Sequence, residues 1–383
     1  MLLTQLHDLV TRPATPRAAG VTRVIVGVAA ILKGLERAPV LDRLTDPGIL
    51  RIPYIPGQPS VVSLPTELVI LVWLGLGTAF TLGAFTTASG IALCVALAVV
   101  LLSDQQLYSN HLYLLIWLVG LLTIARSGAA FSVDRWRGRG RTSIPAWPIA
   151  LIQLQVVVLY LFAGLSKINL MYLAGSVVAV SLRHEGPLAI PAEWRSFEAM
   201  AAAAVISILA ELGLAVGLLL PRWRRTAFVV GLAVHVGIAL WFDPTLPLVI
   251  FGVMTLGPYV LFLDDRPHRL VVVWDDSCTF CRGWVTWFRR LDWLGVLRLV
   301  PNSDALELQQ LKVSREDADQ ALQLVGGHRR SQGFRAVIDI LESLPISFLW
   351  APLLRLWPVR RVGEAAYRRV AERRSCGLTR PAG

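Results

Sequence analysis

Charge is what this chain lacks most: of 383 residues only 16% are charged, whereas 55% are hydrophobic, and the mean hydropathy is +0.59. That balance is too apolar for an ordinary soluble enzyme and fits a polytopic membrane protein. Cysteine is nearly as scarce. Four residues, Cys94, Cys278, Cys281 and Cys376, exclude a disulfide scaffold. No basic stripe interleaves with stacking aromatics. The formal net charge of +11 comes mostly from arginines gathered beside apolar runs or in the C-terminal third. These clusters read as topology signals and a membrane-facing surface, and nucleic acid is not an expected partner. The first twenty residues, with His7, Arg12, Pro13, Pro16 and Arg17, show no small-residue cleavage site behind a short apolar core. The expectation is no cleaved signal peptide.

What is present is a series of about eight apolar runs near the length a membrane helix needs, roughly 17 to 25 residues. The first covers Ala18 to Leu35, shortened by Arg23 and Lys33, which are expected to snorkel from its ends. A proline-rich connection, Glu36 to Pro65, follows. The second and third runs, Thr66 to Gly83 and Thr86 to Leu102, are joined so tightly that they should pack antiparallel. Cys94 in the third reads as a small core residue. The fourth spans His111 to Ile124 and the fifth Trp147 to Ser166. Leu170 to Leu182 is too short to cross and suits a re-entrant or interfacial helix. The sixth is Phe197 to Leu220, the seventh Thr226 to Trp241 and the eighth Leu246 to Leu263, ahead of Asp264, Asp265 and Arg266.

Two arginine-rich connections set the orientation. Arg126 to Arg141 holds five arginines, with Gly128, Gly138 and Gly140 expected to make it flexible, and Pro221 to Arg225 holds three more. The positive-inside rule places both in the cytoplasm. Counting crossings then puts the N-terminus and the C-terminal region inside, and the linkers around Asp104, Lys167 and Asp243 outside.

Polar side chains within this apolar background are expensive and usually face one another or a cavity. Lys167 closes the apolar stretch Tyr160-Leu161-Phe162-Ala163-Gly164-Leu165-Ser166. Two readings of it stand: a helix-end lysine snorkelling to the headgroups, or an amine kept neutral by its surroundings and able to take a proton. His111, His235 and Glu211 are the other members of a candidate buried cluster, and Glu211 is equally readable as a packing partner.

The stretch Tyr160 to Ile168, with Gly175 and Ser176 after it, resembles the corresponding segment of vitamin K-dependent gamma-glutamyl carboxylases and their bacterial relatives, the HTTM (horizontally transferred transmembrane) family. Asn110-His111-Leu112-Tyr113-Leu114 is similar to that family's Asn-His motif before a membrane helix, and His235 is similar in position to a further histidine. The resemblance covers about residues 1–263. It implies that Lys167 is a base that deprotonates a reduced quinone such as vitamin K hydroquinone, with His111 and His235 orienting or relaying protons and Asn110 and Glu211 in support. A lipid-soluble quinone could enter such a site sideways from the bilayer. The carboxylases carry a large lumenal region after the bundle that grips the protein substrate, and the expectation is that this chain has none.

From about Arg269 the texture changes. Leu270 to Trp274 reads as a buried strand, Asp275-Asp276-Ser277-Cys278-Thr279-Phe280-Cys281 follows, and a helical stretch runs to Leu291. A CxxC between strand and helix is the thioredoxin-like redox arrangement, with the helix N-terminus stabilising the first thiolate. The alternative is half a zinc site, for which only Cys376, His268 and His328 remain as further ligands. No resident metal is expected. Leu297 to Pro301 and Ala321 to Val325 are further strand candidates, and Phe334 to Leu344 has helical spacing.

This region, residues 269–376, resembles the DCC thiol-disulfide oxidoreductase family, named for its Asp and two Cys, here Asp275, Cys278 and Cys281. Trp287 to Pro301 and Tyr367-Arg368-Arg369-Val370-Ala371 add to the likeness. It implies that Cys278 attacks and Cys281 resolves, on a thiol, protein or peptide substrate. Asp276 stands where the family usually has Gly, and an added carboxylate there should blunt the thiol.

The expected architecture is therefore a polytopic α-helical membrane bundle of about eight spans, residues 1–263, with a C-terminal thioredoxin-like α/β domain, residues 269–383. The expected location is the cell membrane, with both termini cytoplasmic. The expected function is that of a membrane oxidoreductase. Two alternatives are a carboxylase-like protein modifier with an accessory dithiol and a non-catalytic scaffold with a structural CxxC.

Overall fold

The computed structural model describes residues 12–375, apart from 56, 58–59, 186–187, 244, 264–267 and 327–328. His7, Asp264, Asp265, Arg266, His328 and Cys376 lie outside the described residues. The chain divides into two compact units, residues 1–263 and 264–383.

The first unit is helical. Its elements are α1 (Pro16–Thr45), α2 (Thr66–Leu82), α3 (Thr86–Ser103), α4 (Asn110–Ile124), α5 (Trp147–Ser166), the short α6 (Leu170–Leu173) and α7 (Ser176–Ser181), then α8 (Phe197–Leu219), α9 (Arg224–Trp241) and α10 (Thr245–Leu256), which tightens into a 3-10 turn over Gly257–Phe262. A two-residue ribbon pairs β1 (Pro13–Ala14) with β2 (Ile144–Pro145). Five helices, α1, α3, α5, α8 and α9, are long and apolar enough to cross a membrane, and three apolar helices are shorter. Their outward faces stay apolar: Leu71 on α2 is 69% exposed and Phe162 on α5 is 64% exposed. A helix hydrophobic all round needs lipid or protein on every side.

Three expectations are corrected. Arg23 and Lys33 do not snorkel. Arg23 is fully buried and donates to the carbonyls of Ser127 (2.9 Å), Ala130 (3.3 Å), Thr81 and Phe131, while buried Lys33 pairs with Glu36 at 2.7 Å. Partners inside the bundle replace water, so neither cation needs the surface. With those charges satisfied, α1 continues through Pro39 to Thr45 instead of ending at Leu35. The expected single piece Leu170 to Leu182 is broken in two at Gly175, whose φ of 76° suits glycine and where a Cβ would lie 2.4 Å from the Met200 carbonyl carbon.

Close approach explains the antiparallel packing at the start of the bundle. A Cβ on Gly27 of α1 would fall 2.2 Å from Thr81 Oγ1 on α2. Around α5, α8 and α9 the core is Val156, Val157, Tyr160, Leu214, Leu218 and Ala227, closed by Tyr259 and Phe262 of the 3-10 turn.

The second unit is an α/β domain. It contains β3 (Leu270–Trp274), α11 (Thr279–Leu291), β4 (Leu297–Pro301), α12 (Ala305–Leu311), α13 (Arg315–Gln320), β5 (Gln323–Gly326), β6 (Arg329–Gln332), α14 (Gly333–Ser343) and α15 (Trp357–Ser375), with two 3-10 turns between the last helices. The sheet order is β4-β3-β5-β6, with β3 parallel to β4 and antiparallel to β5, and β5 antiparallel to β6. A parallel pair requires a crossover, which α11 supplies, and the hairpin β5-β6 returns the chain to α14. This is the thioredoxin-like topology, with the CxxC at the first strand-to-helix junction.

Candidate functional site

Two groups of residues carry chemistry, one in each unit. In the second, β3 delivers the chain to Asp275, and Cys278 is the N-cap of α11. Its Sγ accepts from the Cys281 amide at 3.4 Å, so the sulfur sits where the helix offers unpaired N–H groups and the positive end of its dipole. Among the described residues neither cysteine is in a disulfide, and Cys278 is partly exposed while Cys281 is buried. A carboxylate oxygen of Asp275 and both sulfurs lie within 4.8 Å of one another. Asp275 also accepts from the Ser277 amide at 3.0 Å and its hydroxyl at 2.6 Å, which fixes the loop before the dithiol.

Asp276 is turned aside. Its carboxylate accepts from Ser303 Oγ at 2.8 Å, and its amide donates to Asn302 Oδ1 at 3.2 Å. The extra carboxylate thus serves the β4 end of the sheet.

Beside Cys281 opens a cavity of about 190 Å³ lined by Asp275, Cys281 and a set of apolar side chains that includes Phe280, Trp284, Phe334 and Tyr367. Phe334, on α14, and Tyr367, on α15, come from far along the chain. Tyr367 is tied in place by accepting from the Leu322 amide at 3.0 Å. Neither was singled out as a wall of the dithiol site, although Tyr367 belongs to the tail likeness and the aromatic inside the CxxC was already a hint.

As metal ligands, Asp275, Cys278 and Cys281 could supply three of the four that a tetrahedral site needs. Among the described residues no fourth His, Cys, Asp or Glu joins them. His268 faces away, bonded through Nδ1 to the Leu297 carbonyl at 3.1 Å.

In the helical unit the polar residues do not form the single cluster expected of them. Lys167, which caps α5, forms an ion pair with Glu211 of α8 and lies 5.5 Å from the centre of the Tyr172 ring. Among the described residues no imidazole hydrogen-bonds to it. His235 is buried on α9, its Nε2 2.7 Å from Tyr160 Oη and 3.1 Å from Thr255 Oγ1, while its Nδ1 has no partner among the described residues. His111 stacks on Phe251 with ring centres 4.5 Å apart and an 18° tilt, and His235 meets the same Phe251 edge-on at 5.9 Å. The two histidines therefore flank one phenylalanine, and the lysine belongs to a separate ion pair. Asn110 opens α4 and accepts from the Tyr108 hydroxyl at 2.9 Å.

The order underlying these contacts lies on α5. Gln153, Tyr160 and Lys167 recur every seven residues, which puts them on one stripe about 10 Å apart along the axis. Gln153 donates to the Leu261 carbonyl at 2.7 Å, Tyr160 meets His235, and Lys167 meets Glu211. Gln153 and Thr255 escaped attention in the sequence; the heptad spacing was the available signal for the first.

An apolar-faced helical bundle joined in sequence to a thioredoxin-like domain with a dithiol at a helix N-terminus defines a redox-related membrane protein. Comparison with family models matches the HTTM domain to residues 11–264 and the DCC1-like thiol-disulfide oxidoreductase to residues 272–377. The chain belongs to the HTTM domain family and carries a DCC1-like thiol-disulfide oxidoreductase domain after the bundle. No solved structure matches it.

Proposed function

We propose that the chain is an integral membrane thiol-disulfide oxidoreductase in which Cys278 is the attacking thiol and Cys281 the resolving one. The observation that supports this most is Cys278 Sγ at the start of α11, partly exposed, with Cys281 buried behind it. The Cys278 thiolate attacks one sulfur of a substrate disulfide, forming a mixed disulfide and releasing a substrate thiolate. Cys281 then attacks Cys278, releasing the second substrate thiolate. The protein dithiol is oxidised to a disulfide, the substrate disulfide is reduced, and the two protein protons leave with the products. Asp275, close to both sulfurs, is placed to accept a proton. The test is Cys281→Ser in the full chain with a chromogenic aromatic disulfide: a stable mixed disulfide on Cys278 is expected, and its absence would remove Cys278 as the attacking group.

A second reading concerns the bundle, and the α5 stripe favours it: polar contacts repeated inside an apolar bundle mark a functional interior more often than not. On this reading the bundle takes a lipid-soluble hydroquinone of the vitamin K type, with His111, His235 and Lys167 around it. The ion pair with Glu211 makes Lys167 a fixed positive charge suited to a phenolate oxygen, and leaves the unpartnered Nδ1 of His235 as the free proton acceptor. Carboxylation of peptide glutamate rests on family resemblance alone.

The arginine-rich connections argue for a cytoplasmic dithiol domain and an outward Lys167. An impermeant thiol reagent added to intact cells should therefore leave Cys278 unlabelled, and labelling from outside would reverse the orientation.

A further inference from the structure

The connection from Arg126 to Arg141 is not the flexible loop its glycines suggest. Arg23, buried in α1, holds its backbone through the carbonyls of Ser127, Ala130 and Phe131. Asp134 holds its other half against the start of α3, accepting from the amides of Phe85 (3.0 Å) and Thr86 (2.7 Å) and from the Thr86 hydroxyl (2.7 Å). Between these two anchors lies a cavity of about 450 Å³ at the end of the bundle where α2 finishes, α3 begins and α4 finishes.

Arg126, Arg139 and Arg141, all three exposed to solvent, line it. Within the described residues none of the three makes a side-chain hydrogen bond or an ion pair. The single carboxylate in the cavity, Asp134, is already engaged by three donors. Thr87 and Ala88, whose first-turn amides have no acceptor within their own helix, line the same space. The aromatic rings of this region stay outside the protein: Phe85, which lines the cavity, is 57% exposed, with Arg137 and Arg139 over its ring at 5.3 and 5.7 Å, and Trp136, two residues past Asp134, is 85% exposed. Exposed aromatics beside arginines at the end of apolar helices are the chemistry of a membrane interface.

We propose that this cavity binds a phosphate group presented at the membrane surface, its anionic oxygens taken by Arg126, Arg139 and Arg141 and by the first turn of α3, with the rim aromatics in the headgroup layer. A guanidinium fork matches phosphate oxygens two at a time. An anionic phospholipid is the donor that this position favours.

The test uses the full chain, purified in detergent and delipidated, with three probes: phosphatidylglycerol, phosphatidylcholine and inorganic phosphate. Binding is read by native mass spectrometry for the lipids and by calorimetry for phosphate. Phosphatidylglycerol should be retained over phosphatidylcholine, and R126Q/R139Q/R141Q should weaken it about tenfold or more, as loss of two or three charge-assisted bonds implies. R222Q/R225Q, in the other arginine loop, should leave it unchanged. Inorganic phosphate binding, lost in the same triple variant, would support the phosphate site and assign it a soluble donor. Equal retention of the two lipids together with no phosphate binding would overturn the proposal. So would a triple variant that binds like wild type. If that variant does not fold, the wild-type lipid preference and its loss at high salt decide the matter.

Discussion

Cys278 and Cys281 differ in exposure, and that difference gives them an order in any exchange reaction. The first is partly exposed and sits at a helix N-terminus; the second is buried one helical turn further on, against the apolar cavity. The same logic of partners separates Lys167 from the histidines. Its contact with Glu211, whose side chain is only 10% exposed against 26% for the lysine, is an ion pair between α5 and α8. Lys167→Ala leaves a buried carboxylate without its cation and should cost about 1–3 kcal/mol, read as a lower melting temperature. Lys167→Met combined with Glu211→Gln should recover most of that loss. If hydroquinone turnover falls in the stable double variant, the pair has a chemical role beyond packing; if turnover is untouched, Lys167 is structural. The sequence made all of these residues visible as outliers in oil. It did not reveal their pairing, because which helix faces which is decided by packing, and the one usable clue was the seven-residue recurrence of Gln153, Tyr160 and Lys167.

Among the elements, legibility followed the sharpness of the boundary. The α5 span and the strands β3 and β4 appear with the limits expected of them, since each is an apolar run stopped by polar or turn-forming residues. The first helix runs past its expected end because Lys33, Glu36 and Arg37, which in sequence look like a terminus, satisfy one another within it. Helix α15 is hard to read from its arginine-rich sequence, which carries only a thin apolar face, and that face, with Tyr367 and Val370, lines the dithiol cavity. The start of α3 gives a test at this scale. Burial works against ionising Asp134, but its bonds from Thr86 and Phe85 and the nearby Arg139 outweigh that and hold its carboxyl below the usual carboxylate range. A carboxyl lowered on folding stabilises the fold above its unfolded value of about 3.9 and loses that contribution as pH falls through the lower folded value. Asp134→Asn should therefore cost about 1 kcal/mol at neutral pH. Between about pH 5 and pH 2 the melting temperature of the variant should fall less than that of wild type, and parallel curves would show that Asp134 is not the group responsible.

At the scale of the whole molecule, an HTTM-family bundle and a DCC1-like oxidoreductase domain share one chain, and the proposed function turns on whether that domain's dithiol cycles. The two-domain plan was open to reading because composition shifts abruptly near Arg269. The apolar cavity beside Cys281 was not, since its walls come from three helices widely separated in sequence. The most direct measurement is thiol labelling of the full chain equilibrated in a graded series of dithiol and disulfide redox buffers. The account predicts that Cys278 and Cys281 lose their label together along one two-electron curve, tenfold in the equilibrium for every ~30 mV, and that Cys278→Ser abolishes the transition. Labelling that stays constant across the whole range of potentials would contradict it.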